Sequence, residues 1–202
     1  MLRPRDKKII QSLQLFRCMS RDQIANLFFS DVKSPITSAN FVLKRLRREK
    51  HIEANVAKQP FIYFPEPSII KKNSQKVKHY LAIVDFYIDI CKHESPTVFE
   101  VEQRYGPGYV QPDIFMIWQG NIFFVEIQLS RYSSELMKEK LDRYINYFKS
   151  ESWDRKKIKF NLNLNAPPSV WIISKTPYVI NNDKLQIIQT STADGILSNN
   201  LI

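Results

Sequence analysis

Glycine and cysteine are scarce in this chain, which has 4 glycines and 2 cysteines among its 202 residues. With 11 prolines in addition, the composition excludes collagen-like and linker-like proteins. No apolar run reaches the about 18 residues that a membrane-spanning helix needs. The charged start, Met1 to Lys8, precedes a short amphipathic stretch where a signal peptide would have a continuous apolar block. We therefore expect a cytoplasmic protein without a membrane partner.

The two cysteines, Cys18 and Cys91, are far apart in the sequence and have apolar neighbours. They form neither a disulfide framework nor a metal-ligand spacing, so we predict two buried free thiols. Because 44% of the residues are hydrophobic, the chain can fill a core without disulfides. Its length fits one large domain or two small ones.

Positive charge is concentrated in the first part of the chain. Residues 1–79 carry 17 basic and 6 acidic side chains, a net charge of +11, whereas residues 80–202 carry 13 basic and 14 acidic ones, a net charge of −1. Basic side chains neutralise phosphates and release counterions, so this distribution predicts that the first part binds a nucleic acid. The alternative is that the charge serves solubility alone.

Apolar residues at helical spacing predict three helices in the first fifty residues. The first helix covers residues 5–16, and the second follows Ser20, an N-cap with Gln23 at the capping-box position. The third begins at the N-cap Ser34, has Pro35 in its first turn and ends near residue 50. The residues expected to pack from the third helix are Ile36, Ala39, Leu43 and Leu46.

A hairpin pattern follows the third helix. Residues 52–56 and 61–64 read as two strands around a turn that carries Lys58. Three helices and a hairpin in about 60 residues are typical of a winged helix. We predict a winged-helix domain over residues 1–68, a linker over 69–75 and a second domain over 76–202.

The exposed side of the third helix is the candidate DNA-binding surface. Near its start, Ser38 and Asn40 could reach base edges, and the arginines near its end suit phosphates. An ordinary solvated basic face is the alternative interpretation. The candidate DNA-binding residues are Ser34, Thr37, Ser38, Asn40, Phe41, Lys44, Arg45, Arg47, Arg48 and, in the hairpin turn, Lys58.

The second domain is predicted to be α/β (α+β), with a mixed sheet flanked by helices. Helical periodicity covers 76–91 and returns after Ser133 to Phe148, and strand patterns lie between and after these helices. The predicted strands are 97–102, 111–118, 122–129, 169–174 and an edge strand at 184–190. Strands 111–118 and 122–129 are predicted to form a hairpin through Gln119-Gly120-Asn121.

Two carboxylates interrupt the apolar strands of this hairpin. Asp113 begins one strand and Glu126 lies late in its antiparallel partner, so the two side chains are expected beside each other. Adjacent carboxylates repel unless a cation lies between them, and oxygen ligands suit Mg²⁺ or Mn²⁺. We therefore predict Asp113 and Glu126 as metal ligands. An ion pair for each carboxylate is the alternative.

The segment Pro112-Asp113, twelve residues, then Glu126-Ile127-Gln128 resembles the PD-(D/E)XK nuclease pattern, with Gln128 in place of the lysine. With the winged-helix pattern in front and Lys140-Leu141-Asp142-Arg143-Tyr144 behind, residues 5–150 resemble the replication-relaxation family of bacterial plasmids, phages and other mobile elements. The resemblance implies a winged-helix DNA-binding domain fused to a nuclease-like domain.

The resemblance also implies a set of active-site residues, namely Glu100, Asp113, Glu126 and Gln128. Asp113 and Glu126 would hold the metal with the carbonyl of Ile127, and either Glu100 or Glu102 would add a carboxylate. Gln128 can orient water but supplies no positive charge. Lys138 or Lys140 could lend that charge, although solvated pairing within their helix is the alternative.

These observations predict a protein that binds double-stranded DNA in the replication or processing of a mobile element. They leave the activity of its nuclease-like domain undecided, with Gln128 as the feature that argues against efficient cutting. An active Mg²⁺-dependent endonuclease or nickase and a winged-helix transcription regulator are the alternatives, followed by an RNA-binding or protein-docking module. A homodimer or a replication protein is the expected protein partner.

Overall fold

The computed structural model describes residues 1–162 and 167–198. The chain divides into two compact units, Met1–Asp89 and Ile90–Ile202. Both units combine helices with a sheet, which confirms the expected mixed α/β (α+β) class. The division at a linker over 69–75 stays a prediction, and parts of the predicted second domain, 163–166 and 199–202, lie outside the described residues.

The N-terminal unit contains the three predicted helices and the predicted hairpin. A two-residue strand that the sequence did not indicate pairs with the second hairpin strand, so the antiparallel sheet has the order β1-β3-β2. The elements are α1 (Pro4–Phe16), β1 (Met19–Ser20), α2 (Arg21–Phe29), α3 (Pro35–Arg48), β2 (Ile52–Asn55), β3 (Ile62–Pro65) and α4 (Lys76–Cys91), which runs into the second unit.

The ends and faces of these helices follow mostly from their residue types. Ser20 accepts from the backbone N–H of Gln23, and the Gln23 side chain accepts from the backbone N–H of Ser20, so α2 has the predicted capping box. Two expectations for α3 were wrong. The Ser34 side chain makes no capping hydrogen bond, and Ile36 is 39% exposed because it lies in the first turn, whereas the later stripe residues are buried.

Helix α4 has the predicted bounds, and its first half packs with the N-terminal helices. The Cys18 thiol contacts the carbonyl of Val77, and Gln23 donates to the carbonyl of Leu81 and to the Asp85 carboxylate at 2.6 Å. These contacts explain why the N-terminal unit extends to Asp89. Cys18 is buried as predicted and Cys91 is only partly buried, and both are free thiols.

The C-terminal unit is built on a five-stranded mixed sheet. Its strand order is β4-β5-β6-β7-β8, in which the first three strands are antiparallel and the last two run parallel to β6. The elements are β4 (Val98–Val101), β5 (Ile114–Trp118), β6 (Asn121–Gln128), α5 (Ser134–Phe148), α6 (Glu151–Lys159), β7 (Ser169–Ser174), β8 (Gln186–Thr190) and α7 (Gly195–Ser198).

The β5–β6 hairpin sets the register on which the site depends. Trp118 pairs with Asn121, so the turn consists of Gln119 and Gly120, both with positive φ, as a two-residue turn between twisted strands requires. On one face of the sheet, the Phe124 ring packs among aromatic residues of α5 and α6, including Tyr144 and Trp153. This packing fixes α5 above β6.

Among the described residues, we find no helix with both the length and the apolar composition that crossing a membrane requires.

Candidate functional site

Asp113 and Glu126 lie side by side at one end of the hairpin. Ile114 pairs with Val125, and the same antiparallel register places Asp113 opposite Glu126 on the helix-covered face. Asp113 Oδ2 accepts the backbone N–H of Ile127 at 2.7 Å, which holds its carboxylate against β6. The structure thus brings together the two carboxylates that the sequence predicted as neighbours.

Two donors from α5 reach the Glu126 carboxylate, which is buried with 1% of the residue exposed. The Lys140 ammonium donates to Oε2, and the Tyr144 hydroxyl donates to Oε1 at 2.6 Å. Lys140 and Tyr144 are four residues apart, so they lie on the same face of α5. A buried carboxylate requires such partners, since an unpaired one would be costly.

The electrostatics of this cluster leave Glu126 close to its ionisation point at neutral pH. Burial and the negative charge of Asp113 raise the pKa of Glu126 to about 7, although Lys140 and Tyr144 act in the opposite direction. Burial also disfavours the Lys140 ammonium, but the charges of Glu126 and Asp113 outweigh it and raise the pKa of Lys140 above 10.5. The pair of carboxylates with one lysine has an excess of one negative charge when fully ionised.

The position of Lys140 bears on the missing lysine at Gln128. Gln128 is two residues beyond Glu126 on β6 and therefore faces the same side of the sheet. Among the described residues, its buried Oε1 atom has no hydrogen-bond donor. The Lys140 ammonium, from α5, bonds Glu126 on this face of the sheet. Sequence reasoning treated Lys140 as one of two alternatives and named Tyr144 only within the segment that carries the family resemblance, because neither has a sequence signal linking it to Glu126.

The oxygen atoms at this site fit a divalent cation chemically. Carboxylate and amide oxygens are the donors that Mg²⁺ and Mn²⁺ prefer, and such sites commonly use one or two carboxylates. Both Glu126 oxygens and Asp113 Oδ2 already accept hydrogen bonds from Lys140, Tyr144 and the Ile127 backbone, so a cation would have to displace some of these donors. Within residues 1–162 and 167–198, no group of three or more His, Cys, Asp or Glu side chains is arranged to hold a metal. A cation here would therefore rest on Asp113 and Glu126.

The two candidates for a further carboxylate lie in different surroundings. Glu100 forms an ion pair with Lys156 at 2.5 Å and lies 3.6 Å from the Lys159 ammonium, beneath α6. Glu102 follows the end of β4 with φ of 46°, and its backbone N–H donates to the Asp113 carbonyl at 3.0 Å. The register of β4 with β5 places Glu102, not Glu100, opposite Asp113, which in turn lies opposite Glu126.

The candidate DNA-binding residues of the N-terminal unit are mostly exposed. Phe41 is 74% exposed in the middle of α3, so its ring is accessible to a binding partner. Ser38 and Arg45 are partly buried. The exposed members of the predicted set are Ser34, Thr37, Asn40, Phe41, Lys44, Arg47, Arg48 and Lys58.

Arg45 has a structural partner that the sequence did not reveal. Its guanidinium donates to both oxygens of Asp6 at 2.7 Å, and Asp6 is 1% exposed. Burial opposes ionisation of Asp6, but the bonds from Arg45 and from the backbone of Arg3 prevail and lower its pKa below 3.8. The structure therefore places Arg45 in a bond between α1 and α3, while Lys44 and Arg48 point outward.

Comparison with known proteins finds a family model that matches part of the chain. Residues 65–162 match the model of the family described as replication-relaxation. This segment starts later than the resemblance seen in the sequence and includes β4 to β6, α5 and α6, with all four candidate active-site residues. No curated protein and no solved structure matches the chain. Over residues 65–162, the chain is thus similar to the replication-relaxation family.

Proposed function

We propose that this protein binds double-stranded DNA through a winged helix in its N-terminal unit and acts in the replication or DNA processing of a mobile element. The observation that carries the proposal is the basic, exposed face of α3. The similarity to the replication-relaxation family supports the replication role. The net charge of +11 over residues 1–79 supports a polyanionic partner.

The residues on α3 suit two kinds of contact. Lys44 and Arg48 are one helical turn apart, on the side where they can neutralise phosphates. Asn40 can pair with an adenine edge, and the exposed Phe41 ring can contact a thymine methyl group. A helix that presents both kinds of side chain fits a major groove.

A binding experiment with charge-matched variants tests this proposal. We expect Lys44→Ala/Arg48→Ala to weaken binding of a fluorescent duplex by about 30-fold or more at low salt, since two phosphates are no longer neutralised. The control, Lys7→Ala/Lys8→Ala, removes the same charge from exposed positions on α1. Fluorescence anisotropy measures both affinities. Equal reductions in the two double variants would show that α3 is not the binding surface.

A second candidate function is metal-dependent cleavage of DNA, and the adjacent carboxylates of Asp113 and Glu126 favour it. Asp113 and Glu126, with the carbonyl of Ile127, would hold Mg²⁺ or Mn²⁺, which when bound activates water for attack on a phosphodiester. Lys140 keeps a positive charge beside the carboxylates, where a reacting phosphate would gain negative charge. Gln128 can orient a water molecule through its amide.

Nicking of supercoiled plasmid tests the second function. Protein with Mg²⁺ or Mn²⁺ should convert supercoiled plasmid to open circles, and Asp113→Ala and Glu126→Ala should not. Lys138→Ala is the control, because Lys138 is an exposed lysine on the same helix as Lys140. If no nicking occurs, or if the carboxylate variants nick as well as the wild type, the domain is not a nuclease. DNA binding by the N-terminal unit would be unaffected by that result.

A homodimer or a replication protein as partner, expected from the sequence, stays a prediction. Analytical ultracentrifugation with and without duplex DNA would test the homodimer.

A further inference from the structure

A cleft of about 590 Å³ lies between α3 and β3 in the N-terminal unit. Its charged lining is entirely basic, with no acidic side chain among the described residues that form it. The basic residues come from the start of α2 and from α3, and they are Arg21, Lys44, Arg47 and Arg48. Arg21 was not among the residues that the sequence indicated for DNA binding.

Aromatic residues of β3 form the other side of the cleft. Phe61, just before β3, and Tyr63 within it both line the cleft, and Tyr63 is 5% exposed. Burial raises the pKa of the Tyr63 hydroxyl, whereas the charges of Arg47 and Arg21 lower it in part. Arg21 from α2 and Arg47 from α3 thus line the same cleft as this tyrosine.

The backbone at the start of α2 is already satisfied within the protein. The N–H of Arg21 donates to the Phe61 carbonyl at 2.9 Å, and the N–H of Gln23 donates to the Ser20 hydroxyl. The helix N-terminus therefore has few backbone donors left for a ligand, and the side chains of the cleft would make the contacts. Asp22 accepts a hydrogen bond from Arg21 Nε at 2.7 Å, which helps to orient the guanidinium.

Arg21 pairs with Asp22, and Arg48 lies 3.7 Å from the Glu49 carboxylate, so the four cations keep a net positive charge around the cleft that attracts an anion. Guanidinium groups bind phosphate oxygens through paired hydrogen bonds, and a tyrosine hydroxyl can donate one more. Asn40 lines the same cleft, so a group bound there lies next to the helix face that would meet base edges. A backbone phosphate of DNA matches both the charge and the position.

We propose that this cleft is a phosphodiester-binding site in which Arg21 and Arg47 share one backbone phosphate of the bound DNA. The inference rests on the proposed DNA-binding function and deepens it. Asn40 and Phe41 would read bases, while the cleft fixes the register of α3 on the duplex through a contact that is independent of sequence.

The salt dependence of DNA binding tests the shared phosphate. The probe is a 20-base-pair duplex of mixed sequence, and the slope of log affinity against log salt falls by about 0.9 for each phosphate that the protein no longer neutralises. We expect Arg21→Ala/Arg47→Ala to lower the slope by about 1, as for a single phosphate, and each single variant to lower it by no more. Arg21→Lys should retain most of the affinity.

The controls separate this inference from the proposed function. Lys8→Ala removes a charge from an exposed position outside the cleft and should leave the slope nearly unchanged, and far-ultraviolet circular dichroism checks that each variant is folded. If the wild type binds no duplex, the proposed function and the inference both fail. If the wild type binds and the double variant keeps the wild-type slope, only the inference fails. A fall in slope near 2 would also overturn it, since each arginine would then have its own phosphate.

Discussion

Replacing Lys140 with methionine would reveal how strongly the buried Glu126 depends on its cation. Methionine keeps most of the side-chain volume and removes the charge. Glu126 is 1% exposed, and its pKa of about 7 already lies well above the ordinary 4.5. Without Lys140, this pKa must rise further, because burial and Asp113 would then be opposed by Tyr144 alone among the groups that act strongly on it.

The expected effect depends on pH, and its sign follows from where protons bind. Below about pH 7 the native Glu126 is protonated in both proteins, so Lys140→Met costs about 1 kcal/mol for the missing hydrogen bond. Above pH 7 the wild-type Glu126 ionises, whereas the variant retains the proton that the unfolded chain has released. The variant therefore loses about 1.4 kcal/mol more per pH unit. The total at pH 9 approaches about 3 to 5 kcal/mol, the usual cost of breaking a buried pair.

Urea unfolding at pH 6, 7, 8 and 9 measures this effect. Tryptophan fluorescence reports on the C-terminal unit, because Trp118, Trp153 and Trp171 all belong to it. Lys138→Met is the matched control and should change stability by less than about 0.5 kcal/mol at every pH, as exposed positions usually do. A destabilisation by Lys140→Met that is constant from pH 6 to pH 9 would refute the reasoning.

Four further variants test individual side chains. Arg45→Ala should destabilise the N-terminal unit by about 3 kcal/mol at pH 7, because buried Asp6 loses its cation. In thermal unfolding, this destabilisation should become smaller below pH 4, where Asp6 takes up a proton. Ser20→Ala should cost about 1 kcal/mol and Ser34→Ala much less, since the Ser20 side chain caps its helix and the Ser34 side chain makes no capping hydrogen bond. Gln128→Met should leave stability unchanged or raise it by about 1 kcal/mol in urea unfolding, because Oε1 has no donor within the described part of the chain.

Periodicity and local signals predicted most helices and strands well. Helix α4 and strand β7 have the predicted bounds, and α1 begins one residue earlier than expected. The elements that were missed have weak or absent apolar patterns. Strand β1 has two residues, too few for any period, and α6 is so polar that only Ser150 as its N-cap and the acidic first turn could have indicated it.

Only those contacts of the candidate site that follow from strand register were predictable from the sequence. The hairpin places Asp113 beside Glu126 because register follows from the turn. The contact of Lys140 with Glu126 depends on how α5 packs over β6. Periodicity predicts the buried face of the helix but does not show which of its lysines reaches Glu126. For the same reason Asp6, a single acid in a basic segment, gave no signal that it would bind Arg45.

The most direct test of the central claim is to locate the DNA contact on the chain. A duplex containing bromodeoxyuridine, crosslinked by ultraviolet light and analysed by mass spectrometry, should yield crosslinked peptides from α3, with Phe41 as the expected attachment point because its ring is exposed there. Crosslinks confined to residues 90–198, with none between 34 and 63, would contradict the claim that the N-terminal unit binds the duplex.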